Sequence, residues 1–247
     1  SILFLKKSQP DLFILGGYSK ILKQEILNIP KLFTINLHGG KLPNYQGSSP
    51  INWALINGET EITISIIKVD KGVDTGDILN ELIIPVTNSD DISSMHDKAN
   101  TGFHKLLLKT INQINKKTYS LTAQEGKDKS YFPLRFKEDG FILFDQYNAL
   151  EVYNRIRALS KPYPCAFSFY NSKKVFFEKS ELNDFPFYGE SGRIYKKNNK
   201  GILVCCKDLC LWITKAFYED GNDALNDLIR YEKFTTVKGE ILNLLEN

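Results

Sequence analysis

The segment Phe33–Glu59 reads FTINLHGGKLPNYQGSSPINWALINGE, and it decides what fold we expect of this chain. Its apolar start is typical of a buried strand, and a glycine-rich loop follows. Pro50 then stands where a helix would begin, and Gly58 stands where that helix would end. The chain has three histidines, and one of them, His38, lies at the end of the predicted strand.

A second strand and a helix precede this segment. The short apolar run 12–17, LFILGG, is typical of a strand buried in a parallel sheet. Residues 19–28 place apolar side chains on one helical face, and Pro30 ends the pattern. Strand, helix and strand form a βαβ unit, which predicts an α/β fold with a Rossmann-like parallel sheet. Such a sheet rarely has one strand before its active loop, so we expect its first strands to be missing from the chain as given.

The sequence after the segment divides into two parts. Runs 61–69 and 78–86 predict strands, and an amphipathic helix should extend to about residue 117. Residues 126–148 show no regular pattern. After them the sequence predicts a helix, then a strand-rich region and a helical tail. The domains we expect are an α/β domain at 1–125, a linker at 126–148 and a small β-domain at 149–247.

The composition excludes several classes of protein. A net charge of +3 and a pI of about 8.5 are too mild for a typical nucleic-acid-binding domain. No stretch approaches the roughly 20 apolar residues that span a bilayer, and the chain does not begin with a signal-peptide pattern, so we expect a cytoplasmic protein without a membrane partner. The four cysteines lack CxxC spacing and histidines at ligand spacing, which predicts buried thiols and no metal site.

Three polar residues near the strand ends are candidates for one site. Asn36 closes the strand and His38 follows just past its end, so alternation places both on the same side. Ligands of open α/β sheets bind beyond the carboxyl ends of the strands, where we expect these two side chains. Gly39 and Gly40 would let a ligand approach the backbone. Asp74, in a glycine-rich loop between two later strands, is expected at the same edge.

An amide, an imidazole and a carboxylate together suit acyl transfer to an amine. The amide of Asn36 would donate to a developing oxyanion, and His38 would move a proton near neutral pH. The carboxylate of Asp74 would hold the imidazole. Each residue also has a structural alternative: a strand-end cap for Asn36, a satisfied structural histidine for His38, and an Asx turn for Asp74.

Three ordered motifs resemble those of the folate-dependent formyltransferases. They are Asn36-Leu37-His38, then the run 42–47, LPNYQG, and then Asp74-Thr75-Gly76, which begins 38 residues after Asn36. Members of that family use 10-formyltetrahydrofolate to formylate an amine, and the resemblance implies this co-substrate and catalytic roles for Asn36, His38 and Asp74. It also implies that the strand-rich region from about residue 157 is an OB-like domain.

The resemblance also implies residues that bind the two substrates. Those expected to bind folate are Tyr18, Ile21, Leu22, Gly72 and Val73. Those expected to bind the formyl acceptor are Lys20, Gly40, Tyr45, Gln46 and Trp53. Two positions depart from the family pattern, because Gln46 stands where an arginine is usual and Gly40 where a serine is usual. A planar guanidinium is lost at residue 46, which should change the anionic group held there.

The acceptor implied by the resemblance is a nucleotide-linked amino sugar, dTDP- or UDP-linked, used in surface polysaccharide (lipopolysaccharide) biosynthesis. Residues 49–59, SPINWALINGE, and 157–164 are most similar to enzymes of that kind. Methionyl-tRNA formyltransferase is the alternative, and only then would a nucleic acid be a partner. A non-catalytic folate- or nucleotide-binding protein is a more remote alternative. A homodimer is expected.

Overall fold

The computed structural model describes residues 2–126 and 129–245. These residues divide into two compact units. The first unit comprises the described residues within Ser1–Ala54, Glu59–Asn88 and Ser94–Leu134. The second comprises those within Leu55–Gly58, Ser89–Ser93 and Arg135–Asn247.

The elements up to residue 134 include a four-stranded sheet with the order β1-β2-β4-β5. In chain order they are α1 (Ile2–Ser8), β1 (Leu12–Gly16), α2 (Gln24–Leu27), β2 (Phe33–His38), β3 (Gln46–Gly47), α3 (Pro50–Ile56), β4 (Glu61–Lys68), β5 (Ile78–Pro85), α4 (Ile92–Asn115) and β6 (Tyr131–Phe132). The short strands β3 and β6 pair in parallel and form a separate two-stranded sheet.

The α/β class and the parallel βαβ pair are confirmed, since β1 and β2 run parallel. Beyond this pair the sheet is mixed, because β4 runs antiparallel to both β2 and β5. A short loop joins β4 to β5 and reverses the chain direction, as antiparallel neighbours require. The predicted helix at 19–28 is reduced to α2. Its first turns do not form, and Ile21, the first residue of the apolar face, is 78% exposed, so the packing that stabilises a short helix is missing at this position.

The core of the first unit lies along β4. Ile64, Ile66 and Ile67 of this strand are almost completely buried, as expected of a strand covered on both faces. Helix α4 packs closely on the sheet at Gly102, where an added Cβ would lie 2.8 Å from Cδ1 of Ile64. Buried packing of this kind holds β2 and β4 in register and therefore fixes the side chains that β2 presents.

The second unit is built around a five-stranded antiparallel sheet with the order β7-β8-β11-β10-β9. Its elements are a 3₁₀ helix (Lys137–Gly140), α5 (Ala149–Leu159), β7 (Ala166–Tyr170), β8 (Lys173–Leu182), β9 (Ile194–Asn198), β10 (Gly201–Cys205), β11 (Cys210–Phe217) and α6 (Val237–Leu245). Asn148 caps the N-terminus of α5, since its side chain accepts a hydrogen bond from the Glu151 N–H at 2.8 Å. The predicted small β-domain is confirmed.

One expectation for the irregular regions needs correction. Within the described residues 220–245, the tail is helical only at α6, because Phe234 is buried in the β-domain core and its N–H donates to the Gly192 carbonyl. Residues 220–236 therefore form loops and not the predicted helix. The segment predicted as a linker, 126–148, contains β6 and the 3₁₀ helix.

Neither a membrane segment nor a metal centre is found in the part of the chain that the structure describes. Among residues 2–126 and 129–245, no helix has the length and apolarity that a bilayer crossing needs. The same residues contain no group of three or more His, Cys, Asp or Glu side chains arranged to hold a metal ion.

Candidate active site

The loop that carries Asp74 leaves the sheet beside the middle of β2. Lys68, the last residue of β4, pairs with Ile35, and the Val69 N–H donates to the Thr34 carbonyl at 2.8 Å. We expected this loop beyond the carboxyl ends of the strands, but β4 is antiparallel to β2 and ends at the other end. The loop therefore turns back along the sheet and places Asp74 beside the side chains of β2.

Asn36 and His38 both lie within β2 rather than at and beyond its end. His38 is the last residue of the strand and pairs with Ser65 of β4. The antiparallel partner extends the strand to His38, which a sequence without knowledge of β4 does not reveal. The two side chains share one side of the strand, as expected, and both approach Asp74.

The carboxylate of Asp74 lies between the amide and the imidazole. Nδ2 of Asn36 donates to Oδ1 of Asp74 at 3.4 Å, and Nδ1 of His38 lies 3.5 Å from Oδ2. The Gly47 N–H donates to Oδ2 at 3.0 Å. The side chain of His38 is 5% exposed and that of Asp74 is 12% exposed. Burial of this kind lowers the local dielectric and strengthens these polar interactions.

The second nitrogen of His38 contacts the backbone. Its Nε2 lies 2.6 Å from the carbonyl oxygen of Tyr45. Because a carbonyl oxygen can only accept a hydrogen bond, Nε2 carries a proton and donates it. The neutral ring then has its lone pair on Nδ1, which faces Asp74, and a protonated ring would donate to both partners.

Gly40 is required by close packing around the imidazole. A Cβ at this position would lie 2.6 Å from the Tyr45 carbonyl oxygen and 2.7 Å from Nε2 of His38. The Gly40 carbonyl accepts a hydrogen bond at 3.0 Å from Oγ of Ser65, which is fully buried. The departure from the usual serine at residue 40 therefore follows from the packing of this chain.

The side chain of Gln46 faces the Asp74 loop. It is 7% exposed, and its Nε2 donates to the Asp74 carbonyl at 3.3 Å and to Oε1 of Gln124 at 3.1 Å. Gln124 in turn donates to the carbonyls of Asp74 and Gly76. Sequence reasoning missed Gln124, because it lies in an irregular stretch after α4 where no motif or periodicity marks it.

An aromatic cluster lies beside these residues. The ring of Tyr45 stacks on Phe132 with centroids 4.8 Å apart, and Trp53 lies 5.3 Å from the same ring. The Tyr45 hydroxyl donates to Glu59 at 2.7 Å, and Nε1 of Trp53 donates to the Pro133 carbonyl at 3.2 Å. Phe132 comes from the segment predicted as a linker, and Glu59 lies in the stretch 49–59, where its hydrogen bond to Tyr45 was not predicted. Both enter the site only through tertiary contacts.

The residues expected to bind folate are largely exposed. Tyr18 and Ile21 follow β1 and are 52% and 78% exposed. β1 ends beside the end of β2, since Gly16 pairs with Leu37. Val73, in the Asp74 loop, is 39% exposed. The remaining predicted ligand-binding residues in these segments are Lys20 and Gly72, both exposed, and Leu22, which is half-buried.

Comparisons with known proteins identify the family of this chain. Residues 3–111 match the family described as "Formyl transferase", and residues 135–225 match "Formyl transferase, C-terminal domain". A methionyl-tRNA formyltransferase from Caldicellulosiruptor saccharolyticus is 34% identical over 242 residues, which cover 97% of this chain and 76% of that protein. This chain belongs to the formyl transferase family.

Other relatives of this chain are longer proteins. The bifunctional polymyxin resistance protein ArnA of Wigglesworthia glossinidia brevipalpis is 37% identical over 239 residues, which cover 97% of this chain. A methionyl-tRNA formyltransferase from Caldanaerobacter subterraneus is 36% identical over 202 residues, which cover 81% of this chain. The matched region spans 36% of the first relative and 64% of the second.

Solved structures share the fold of this chain. HypX from Aquifex aeolicus in complex with tetrahydrofolic acid has a TM-score of 0.68 at 18% identity, covering 90% of this chain and 39% of that one. An N-formyltransferase from Helicobacter canadensis, in complex with folinic acid and dTDP-3-aminofucose, has a TM-score of 0.65 at 22% identity, covering 83% and 73%. Methionyl-tRNA formyltransferase from Clostridium thermocellum has a TM-score of 0.63 at 25% identity, covering 74% and 78%.

Proposed function

We propose that this formyltransferase moves a formyl group directly from 10-formyltetrahydrofolate to an amine. The observation that carries the proposal is the contact of Asn36 and His38 with Asp74, whose carboxylate oxygens lie 3.4 Å from the amide and 3.5 Å from the imidazole in a largely buried site. These groups supply a hydrogen-bond donor, a proton carrier and a fixed negative charge. The nucleophile is the amine of the acceptor, so the protein needs no nucleophilic side chain of its own.

Each step of the transfer has a group that suits it. The neutral amine attacks the formyl carbon on N10, and the amide of Asn36 donates to the oxyanion that forms. Its hydrogen bond to Asp74 is long, at 3.4 Å, and is readily exchanged for one to the oxyanion. His38 moves the proton that the amine loses to N10 as the bond between carbon and N10 breaks, and Asp74 stabilises the charged imidazole in between.

The folate would lie against the exposed segments at the end of β1 and in the Asp74 loop. The apolar side chains of Tyr18, Ile21 and Val73 are more exposed than is usual for such residues, and a bound pterin would cover them. Leu22 and Gly72 belong to the same proposed pocket. Formylfolate enters as a co-substrate and supplies the formyl group.

The acceptor we propose is a nucleotide-linked amino sugar, of the kind used in surface polysaccharides. Residues 49–59 favour it by their resemblance to enzymes of that class. The rings of Tyr45 and Trp53 both pack against Phe132. This aromatic cluster supports an acceptor that contains a sugar and a base, since both pack on aromatic faces. Lys20 is exposed and free to turn toward an anionic group such as a diphosphate.

Methionyl-tRNA is the second candidate acceptor. Methionyl-tRNA formyltransferases match most of this chain, and the one from C. saccharolyticus covers 97% of it at 34% identity. Binding of an acceptor stem depends on phosphate contacts and would weaken steeply with salt. The net charge of +3 gives this candidate little electrostatic support.

A panel of acceptors distinguishes the two candidates. The full-length protein is incubated with 10-formyltetrahydrofolate and dTDP- or UDP-linked amino sugars, or with methionyl-tRNA, and the formylated product is identified by mass spectrometry. We expect a formylated nucleotide sugar. Formylation of methionyl-tRNA with no sugar product would replace our acceptor with the second candidate, and no product with either class would contradict the proposed activity.

Substitution of the site residues tests the proposed chemistry. Asn36→Ala removes the oxyanion donor, and we expect kcat to fall about 10²- to 10³-fold. His38→Ala removes the proton carrier and should cost about 10²- to 10⁴-fold. His104→Ala, at an exposed position of α4, is the matched control and should keep the kcat of the native protein. Near-native turnover in either site variant would disprove these roles.

A further inference from the structure

The side chain of Gln124 holds the loop that carries Asp74. Its Nε2 donates to the Asp74 carbonyl at 2.8 Å and to the Gly76 carbonyl at 2.7 Å. Because carbonyl oxygens only accept hydrogen bonds, the amide of Gln124 has a single workable orientation. Its Oε1 accepts a hydrogen bond from Nε2 of Gln46 at 3.1 Å. Both ends of the Gln124 amide are therefore used in the site.

A backbone bridge fixes Gln124 in front of this loop. The Ile78 N–H donates to the Thr122 carbonyl at 2.8 Å, and the Thr122 N–H donates to the Ile78 carbonyl at 2.9 Å. Ile78 begins β5 at the end of the Asp74 loop, and Thr122 lies two residues before Gln124. The bridge therefore ties the segment that carries Gln124 to the loop that Gln124 binds.

The backbone of Asp74 has a conformation that depends on such contacts. Its φ is +54°, in the left-handed region that residues other than glycine rarely adopt. A residue keeps this conformation only where its surroundings hold it. Here Gln124 and Gln46 donate to its carbonyl, while the Gly47 N–H donates to its carboxylate.

We propose that Gln124 is a positioning residue for formyl transfer. It holds the backbone of Asp74 so that the carboxylate stays 3.5 Å from Nδ1 of His38. Gln124 acts through the carbonyls of Asp74 and Gly76 and not on the substrates. Its effect on the rate rests on the proposed function of the site, whereas its effect on the geometry of Asp74 does not.

Two variants remove the donors of Gln124. Gln124→Glu keeps the size of the side chain but places carboxylate oxygens against two carbonyls, which repels the loop. Gln124→Met has a side chain of similar length without a hydrogen-bonding nitrogen. It provides the same test if Gln124→Glu does not fold. Glu125→Gln is the matched control, since it makes the reverse isosteric change at the exposed neighbouring residue.

The first measurement follows the imidazole of His38 directly. Its ring signals are recorded by ¹H–¹⁵N NMR in the full-length protein, with Asp74→Asn as the reference for a lost carboxylate. We expect both Gln124 variants to shift these signals in the direction of Asp74→Asn, and Glu125→Gln to leave them in place. Gln124→Met combined with Asp74→Asn should match Asp74→Asn alone, because the effect passes through Asp74.

The second measurement is steady-state kinetics. A displaced Asp74 should lower kcat about 10- to 100-fold while KM for the amine stays within about twofold, since the residue acts on the transition state and not on acceptor binding. Unshifted His38 signals in the Gln124 variants would overturn the proposal, whatever their activity. Shifted signals in a protein that transfers no formyl group would support the positioning role and contradict the proposed function.

Discussion

The imidazole of His38 lies between a backbone carbonyl and a carboxylate. The Tyr45 carbonyl requires a proton on Nε2, and Asp74 faces Nδ1. The backbone carbonyl of Tyr45, and not its side chain, therefore determines which ring nitrogen of His38 carries the proton. This contact also explains why residue 40 is a glycine, since the carbonyl of Tyr45 and the ring of His38 leave no room for a Cβ.

Substitution of Gly40 tests this packing. In Gly40→Ala the added Cβ would lie under 3 Å from the Tyr45 carbonyl and from His38, so one of them must move. We expect a loss of about 1–3 kcal/mol in the free energy of unfolding, as for other overpacked sites. Formyl transfer should fall with it. Urea unfolding and the acceptor assay measure the two effects.

The neighbouring glycine supplies the control. In Gly39→Ala the nearest atom to the new Cβ is Cγ1 of Ile51 at 3.1 Å, in a side chain that can change its rotamer. The loss should therefore be smaller than for Gly40→Ala. Equal losses in the two variants would show that the contact with His38 does not decide the identity of residue 40.

At the scale of elements, the site depends on short segments rather than on the main sheet alone. Strand β3 pairs with β6, where the Ser48 N–H donates to the Phe132 carbonyl at 2.8 Å. This pairing brings Phe132 under the ring of Tyr45. The segment after α4 contributes Gln124 in the same way. Both contributions come from residues distant in sequence, which only backbone pairing brings to β2.

In the β-domain, an ion pair ties β8 to β11. Glu178 is 11% exposed, and its Oε1 accepts a hydrogen bond from Nζ of Lys215 at 2.7 Å, while Lys161 lies 3.4 Å from Oε2. Burial alone would raise the pKa of Glu178, but hydrogen bonding and charge from Lys215 and Lys161 outweigh it and hold the pKa below its usual value. The folded protein therefore keeps this carboxylate charged at a lower pH than the unfolded chain does.

This lowered pKa predicts a pH dependence of stability. The contribution of Glu178 is complete above its unfolded pKa of about 4.5 and is lost as the pH falls through the lowered folded pKa. Glu178→Gln should cost about 1–2 kcal/mol of unfolding free energy at pH 7, and less at pH 3. Urea unfolding at both pH values measures the difference.

Glu181 on the same strand is the control for this variant. Its carboxylate is 58% exposed and pairs with Lys200 at 2.8 Å. Exposed pairs of this kind contribute well under 1 kcal/mol, so Glu181→Gln should change little at either pH. A cost for Glu178→Gln that is the same at pH 3 and pH 7 would mean that the charge of Glu178 contributes nothing.

At the scale of the whole molecule, the cysteines all belong to one unit. Cys165, Cys205, Cys206 and Cys210 are free thiols and all are buried in the second unit. Burial raises the pKa of Cys165 to about 11 and also raises the pKa of Cys206. The thiol of Cys210 donates to Cys205, which raises the pKa of Cys210 and lowers that of Cys205. Thiols that are buried are inert even when one of them ionises more easily.

The reactivity of these thiols should therefore report the unfolding of the second unit. We expect fewer than one of the four to react with 5,5′-dithiobis(2-nitrobenzoic acid) in the native protein at pH 8, and all four in denaturant. Absorbance at the wavelength of the released thiolate counts the reacted groups. Rapid reaction of a thiol without denaturant would contradict the burial described here.

Local patterns were sufficient for many elements and for three residues of the site. β-branched residues predict β4, and the helix at residues 149–159 is read directly from its apolar face. Their positions at strand ends and in a loop, together with the motif spacing, made Asn36, His38 and Asp74 candidates for one site, and the structure places Asn36 and His38 in contact with Asp74. The helix and strand depend on residues close together in the sequence, and the three site residues belong to motifs that other members of the family share. Both kinds of pattern can be recognised in a sequence.

Tertiary structure alone decided the direction of β4, the glycine at residue 40 and the contacts of Gln124. Periodicity shows which face of an element is buried, but it does not show which element covers that face or in which direction a partner strand runs. The side-chain amide of Gln124 donates to the carbonyl of Asp74, 50 residues away in the chain, and to that of Gly76. A contact of this kind leaves no pattern in the sequence, because it is formed only when the sheet and its loops have folded.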